Sequence, residues 1–260
     1  MTKYHSWIDI VARLAIHLPV ASNRCGQQSF EFRTWGGRRA RAGRPPKGYR
    51  SSEPHKPRVR FSGPTPVHVT LRVIAPIATL RRPDAYHAIR RAMYTVVDRS
   101  DFRIVHISIE RDHLHLIVEA NDHESLWKGM RTFQSSAAQR LNRAISLATG
   151  TRRTGKVFHD RYHARLITTP TQAHNTISYV LSNWRRHGLD QGMETMFWDV
   201  DYYSSGPSFD GWSELDDSPF LVPTPDYPRL SVCRPRTWLL QVGWRKAGPI
   251  SMRDVPGPPR

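Results

Sequence analysis

Apolar and polar positions along the middle of the chain follow two periods, and the switches between them outline the elements. Alternation with β-branched residues over Val67 to Val73 (VHVTLRV) predicts a strand. A helix follows, with Pro83 in its first turn and Ala85, Ile89, Ala92, Met93 and Val96 recurring at helical spacing to about Asp98. Phe102 to Ile109 and His113 to Glu119 read as two strands, and the short polar connection Glu110, Arg111 and Asp112 makes them a hairpin. Leu126, Met130, Phe133, Ala137, Leu141, Ala144 and Ala148 form the stripe of a long helix that Gly150 closes as a left-handed cap. Arg161 to Thr168 predicts a fourth strand. Thr169 and Pro170 then serve as N-cap and first position of a last helix, which Gly188 ends. The order strand, helix, strand, strand, helix, strand, helix predicts an α+β fold: a ferredoxin-like split βαβ sandwich with an antiparallel sheet and one added C-terminal, tyrosine-bearing helix.

Outside this pattern the chain reads differently. Residues 33–60 are rich in Gly, Pro and Arg, a composition that cannot bury enough apolar surface to fold alone, so residues 1–60 are read as an N-terminal extension ending in a basic arm. Residues 61–190 hold the periodic core. Residues 191–260 form a C-terminal extension in which acidic and aromatic residues mix with prolines and Arg236 to Arg245 docks back on the core. Charge then narrows the function. Lys and Arg number 39 against 22 Asp and Glu, a net charge of +17 that favours a polyanion. Nucleic acid fits better than a membrane, because the most apolar stretch, Trp7 to Leu18, is interrupted by Asp9, Arg13 and His17, and it is no signal peptide. Cys25 and Cys233 stand far apart, which supports neither a disulfide framework nor a cysteine zinc site and fits a cytoplasmic, nucleoid-associated protein.

Two features carry candidate chemistry. In His113-Leu114-His115 a strand presents both imidazoles on one face, with Leu114, Leu116 and Val118 on the other. On the last helix Tyr179 and Asn183 share a face four residues apart, with His187 a further turn on, while Ala173, Ile177, Leu181 and Trp184 form the buried stripe. Taken singly, each is commonplace: a histidine pair on a half-exposed strand, a tyrosine packing its ring on a sheet. Their coincidence in one strongly basic chain shifts the weight from packing toward catalysis. Phosphate contacts are expected from the arm (Arg38, Arg39, Arg41, Arg44, Lys47, Arg50), from Arg152, Arg153, Lys156, Arg161 and Arg165 around the fourth strand, and from Arg185 and Arg186 at the end of the tyrosine helix, the last two groups lining one groove. Tyr202, Tyr203, Phe209 and Trp212 read as loop anchors more than as base-stacking platforms, and Trp238 and Trp244 as core.

Through HLHLIVEA at 113–120, GKVFHDRYHARLI at 155–167 and YVLSNWRRHGL at 179–189, the segment from about Pro66 to Leu189 resembles the IS200-like single-tyrosine HUH transposases, most closely their REP-associated branch. The resemblance implies an endonuclease of single-stranded DNA acting in transposition and recombination, with Tyr179 as nucleophile, His113 and His115 as metal ligands and Asn183 as the third ligand. Insertion-sequence members usually have Gln there, and the Asn is what points to the REP-associated branch. It also implies Mg2+ or Mn2+, although imidazole suits Mn better than Mg, and hairpin-forming palindromic DNA as the partner of a monomer or homodimer. The rival expectation is a domesticated nucleic-acid-binding protein that keeps the fold without the catalysis.

Overall fold

The computed structural model describes residues 60–75, 77, 79–159, 161–193, 195–215 and 225–257. The basic arm, with Arg38, Arg39, Arg41, Arg44, Lys47 and Arg50, lies outside the described residues, as does Cys25. The elements are β1 (Ser62–Arg72), α1 (Pro83–Met93), β2 (Phe102–Ile109), β3 (His113–Asp122), α2 (His123–Thr149), β4 (His163–Leu166), α3 (Pro170–Arg186) and the short α4 (Trp238–Gln241). One sheet has the order β2-β3-β1-β4 with every pairing antiparallel, the topology of a ferredoxin-like fold.

Local chemistry sets the boundaries. Helix α2 starts where the Asp122 side chain accepts from the Ser125 amide and stops where Gly150 takes φ 67°. Helix α3 starts on a Thr169 side chain that accepts from the Gln172 amide, with Pro170 following. Three boundaries differ from the sequence expectation. Strand β1 begins at Ser62 rather than Val67, because β3 runs on to Asp122 and supplies partners through a bulge between Ser62 and Thr65. Regular helix α1 ends at Met93 rather than near Asp98, and the β-branched run Thr95, Val96, Val97 continues only as turns. Strand β4 spans only His163–Leu166 instead of 161–168, since it is an edge strand paired solely with Val67 to Thr70.

Alternation along β3 sends its side chains to two different cores. Leu114, Leu116 and Val118 join Val67, Val69, Leu71, Ile89, Met93, Met130 and Phe133 in a cluster between the sheet and helices α1 and α2. Ile117 joins Ile177, Val180 and Leu181 of α3 in a second cluster, which the C-terminal segment completes with Val200, Phe209, Trp212, Leu240, Trp244 and Ile250. Helix α3 is therefore buried beyond the single stripe read from its periodicity, with Ser178, Ser182 and Asn183 buried as well. Tyr202 and Tyr203 are buried too. Trp244 is core, but Trp238 is 49% exposed, with the Lys246 ammonium over its ring, so the core expectation for Trp238 is corrected.

Candidate active site

On the sheet face covered by α3, the imidazoles of His113 and His115 converge: their Nε2 atoms are 2.9 Å apart, and the Tyr179 hydroxyl lies 3.3 Å from His115 Nε2. Both rings are held from behind. His113 Nδ1 faces Asp112 Oδ1 at 2.6 Å, and His115 Nδ1 faces both Thr70 Oγ1 and His68 Nε2 at 3.2 Å. A carboxylate that accepts from the Nδ1–H of His113 keeps the ring proton on that nitrogen and leaves the Nε2 lone pair facing the site, the arrangement found behind metal-bound histidines. Burial, reinforced by His113, His68 and Arg72, lowers the His115 pKa to about 2, so this ring is neutral and able to act as a ligand. Burial opposes ionisation of Asp112, yet its hydrogen bond to His113 and the charges of His113 and Arg72 hold it below the usual carboxylate range.

Tyr179 is half-buried on α3, its ring edge-on to His115 and His68 at centroid distances of 5.0 and 5.9 Å. Burial and then the charge of Glu110 raise its pKa, so the phenol is protonated in the resting site. Its mouth opens on a cavity of about 700 Å3 lined by His68, Thr70, Arg72, His115, His163, Arg165, Asn175, Thr176, Ser178 and the 256–257 backbone. Asn183 sits one turn further along α3, fully buried, with neither amide atom hydrogen-bonded. His187 closes the row, its ring centroid 6.5 Å from that of His113.

These residues fit a divalent cation. Two imidazole lone pairs meet at one spot, and a buried amide oxygen lacks a partner on the helix packed over that face. Among the described residues no three His, Cys, Asp or Glu side chains close a cation site by themselves.

The basic residues do not line one groove. Arg165 flanks the Tyr179 cavity, whereas Lys156 and Arg161 line a separate cavity of about 570 Å3 on the α2 side, beside Trp127 and Arg131. Arg153 bonds the Asn142 side chain and the Lys156 carbonyl. Arg152 is exposed in the same loop. Arg185, read from the sequence as a DNA contact, spends its guanidinium on Met252 O, Asp190 and Asp199 O at 2.8, 3.2 and 2.9 Å, and Arg186 donates to Pro256 O at 2.8 Å. These two fasten the C-terminal segment to α3. His68, Thr70, Ser108, Glu110 and Asp112 are site residues that the sequence reading passed over. The signal was present: in VHVTLRV, His68, Thr70 and Arg72 alternate with the apolar residues.

Residues 66–183 match the family model described as Transposase IS200 like. No curated protein matches the chain. Among solved structures the chain is similar to a REP-associated tyrosine transposase bound to a REP hairpin, with 16% identity and a TM-score of 0.43 over 71% of this chain and 100% of that one. It is also similar to a protein of Deinococcus radiodurans R1 described as a transposase, with 12% identity and a TM-score of 0.34 over 54% of this chain and 95% of that one. A third likeness, at 9% identity and a TM-score of 0.36, is to a bacterial tRNA(His) guanylyltransferase-like protein in complex with GTP, over 53% of this chain and 71% of that one. The matched segment of 66–183, just under half of the chain, contains the histidine pair, Tyr179 and Asn183, and it is this domain that matches the IS200-like transposase family.

Proposed function

We propose that this chain is a metal-dependent transposase and endonuclease of single-stranded DNA, which cuts and rejoins strands through a covalent 5′-phosphotyrosine on Tyr179. The observation that carries the reading is the convergence of two imidazole Nε2 atoms and a phenol hydroxyl within 2.9 and 3.3 Å on one buried sheet face. His113, His115 and Asn183 would hold the cation, Mg2+ or Mn2+, which when bound draws electron density from the nonbridging oxygens of the phosphodiester. Tyr179 loses its proton to solvent and its oxygen attacks phosphorus. The P–O3′ bond breaks, the 3′ oxygen leaves as a hydroxyl after taking up a proton, and the 5′ phosphate stays on Tyr179. Because a phenol is far more acidic than an aliphatic alcohol (pKa about 10), a DNA 3′-hydroxyl can displace the tyrosine in turn, which makes cutting and joining one reversible chemistry.

Within this reading the partner is a hairpin-forming single strand, reached by Arg165 at the cavity and by the basic arm. The setting is the nucleoid, and no helix among the described residues is long and apolar enough to cross a membrane. The test uses a hairpin-containing strand labelled downstream of the cut, incubated with Mn2+. The wild type should yield a protein-DNA adduct that survives denaturation, and Tyr179→Phe, which keeps the ring and removes the oxygen, should yield none while still binding DNA. An adduct on Tyr179→Phe moves the nucleophile elsewhere. No adduct on the wild type with any hairpin offered favours the domesticated, binding-only alternative.

A further inference from the structure

A buried carboxylate flanks the histidine pair without a role in the fold or in the nucleophile's chemistry. Ser108 of β2 stands in register with His115, and the next residue but one, Glu110, donates its backbone N–H to the His113 carbonyl at 2.9 Å. Cross-strand neighbours share a face, so Ser108 and Glu110 edge the histidine pair on the side away from β1. Glu110 is only 1% exposed. Its Oε1 accepts from Ser108 Oγ at 2.7 Å, while Oε2 is buried with no hydrogen-bond partner. Asp201, the other buried acid nearby, is fully occupied: its two oxygens take both terminal nitrogens of Arg81 at 2.8 and 2.9 Å, and it also accepts from the Tyr203 amide. The guanidinium nearby is thus already committed to Asp201, and Glu110 Oε2 is left without a partner.

We propose that Glu110 is a further member of the cation site, its Oε2 accepting a hydrogen bond from water on the ion held by His113 and His115. The inference rests on the metal-dependent reading above. Neutral imidazoles and an amide leave a divalent ion with its full charge of two in a buried site. Arg81 and Asp201 cancel, so ionised Glu110 reduces the balance to one positive charge, which a single phosphodiester then neutralises. A role through water agrees with the absence, among the described residues, of three His, Cys, Asp or Glu groups close enough to chelate directly. Ser108, by clamping Oε1, fixes which oxygen faces the site.

The test is a Mn2+ titration of the full chain without DNA, following the free ion by its paramagnetic resonance, with His113→Ala marking the affinity of a broken site. Glu110→Gln keeps the shape and the Ser108 contact and removes only the charge. It should weaken Mn2+ binding roughly 10- to 100-fold, the range for an outer-shell partner, with melting in the absence of metal unchanged or raised. Ser108→Ala should weaken it by a smaller factor. If Glu110 is instead a neutral acid that only packs, Gln reproduces it, and Mn2+ affinities equal to wild type in both variants overturn the assignment while leaving the histidine site intact. A wild type with no saturable Mn2+ binding beyond His113→Ala overturns the metal site itself, and the part of Glu110 with it.

Discussion

The two faces of the sheet are built from alternate residues of the same strands and yet hold opposite kinds of matter. Toward α1 and α2, β3 contributes Leu114, Leu116 and Val118 to a core made largely of aliphatic and aromatic side chains. Toward α3 it contributes His113, His115 and Glu119, β2 adds His106 and Ser108, and Glu110 follows directly after β2, all buried. The first face gains stability from area removed from water; the second must recover the cost of desolvating polar groups. Some of these groups recover it within the fold. Glu119 accepts from the Arg236 and Thr237 amides and the Thr237 hydroxyl at 2.7, 2.8 and 2.6 Å, which fastens the C-terminal segment to β3. Others do not: Glu110 Oε2 and both amide atoms of Asn183 are unpaired. The difference between Glu119 and Asn183 separates polar burial that is satisfied within the fold from polar burial that is not, and the function proposed above gives the second a ligand.

The largest expected effect sets the faces against each other. Leu116→Ala opens a hole in the apolar core and should lower unfolding stability by about 2–5 kcal/mol in a urea titration. Asn183→Leu, of similar size and equally buried, removes an unpaired amide and should leave stability unchanged or raise it by about 1–3 kcal/mol, yet abolish the adduct that Asn183→Gln or Asn183→Asp partly retains. A stability loss in Asn183→Leu as large as that in Leu116→Ala would mean that the fold itself holds this amide.

Acid should find the polar face first. Burial lowers the pKa of His106 from 6.5 to about 4, with its ring edge-on to Phe209 and its Nδ1 3.3 Å from Ser205 Oγ. The unfolded chain takes up this proton below about pH 6.5 and the folded chain only near 4. Stability is therefore intact above 6.5 and falls as the pH drops through that window, by about 3 kcal/mol in full. His106→Gln should remove this part of the slope when melting is followed from pH 7 to 4 without metal. An undiminished slope would place the acid sensitivity on other groups.

The apolar face was legible from the chain, and the polar one only in part. Two-residue alternation and helical stripes locate the strands and helices because apolar burial repeats with the backbone period, as Leu114 to Val118 and Met130 to Leu141 show. His113, His115, Tyr179 and Asn183 could be read as a candidate set because a strand-spaced histidine pair and a helix-spaced Tyr and Asn both resemble motifs of one family. Asp112 and Glu110 were not: in sequence they are the polar residues of a tight turn, and only the folded hairpin turns the Asp112 carboxylate back onto His113 Nδ1 and sets Glu110 across from His113. Arg185 shows the converse. A charge count cannot tell a guanidinium that meets solvent from one whose donors are used by Met252, Asp190 and Asp199, and the first of these partners depends on a segment more than sixty residues downstream returning to α3.

The smallest effect tests that last distinction between cations that look alike in sequence. Arg165 is exposed on the β4 edge and lines the Tyr179 cavity, so it is placed to meet a phosphate. A phosphate contact to a single strand contributes about 0.7 to the slope of log K against log salt, because one condensed counterion is released. Arg165→Gln should flatten the slope by about that amount when single-strand binding is measured from low to moderate salt, with no change in melting temperature. Arg185→Gln should do the reverse, leaving the slope as it is and lowering the melting temperature, since its bonds to 190, 199 and 252 tie the C-terminal segment to α3. An equal flattening in both variants would show that Arg185 leaves its protein partners to meet DNA, and the C-terminal segment would then be released from α3 when the strand binds.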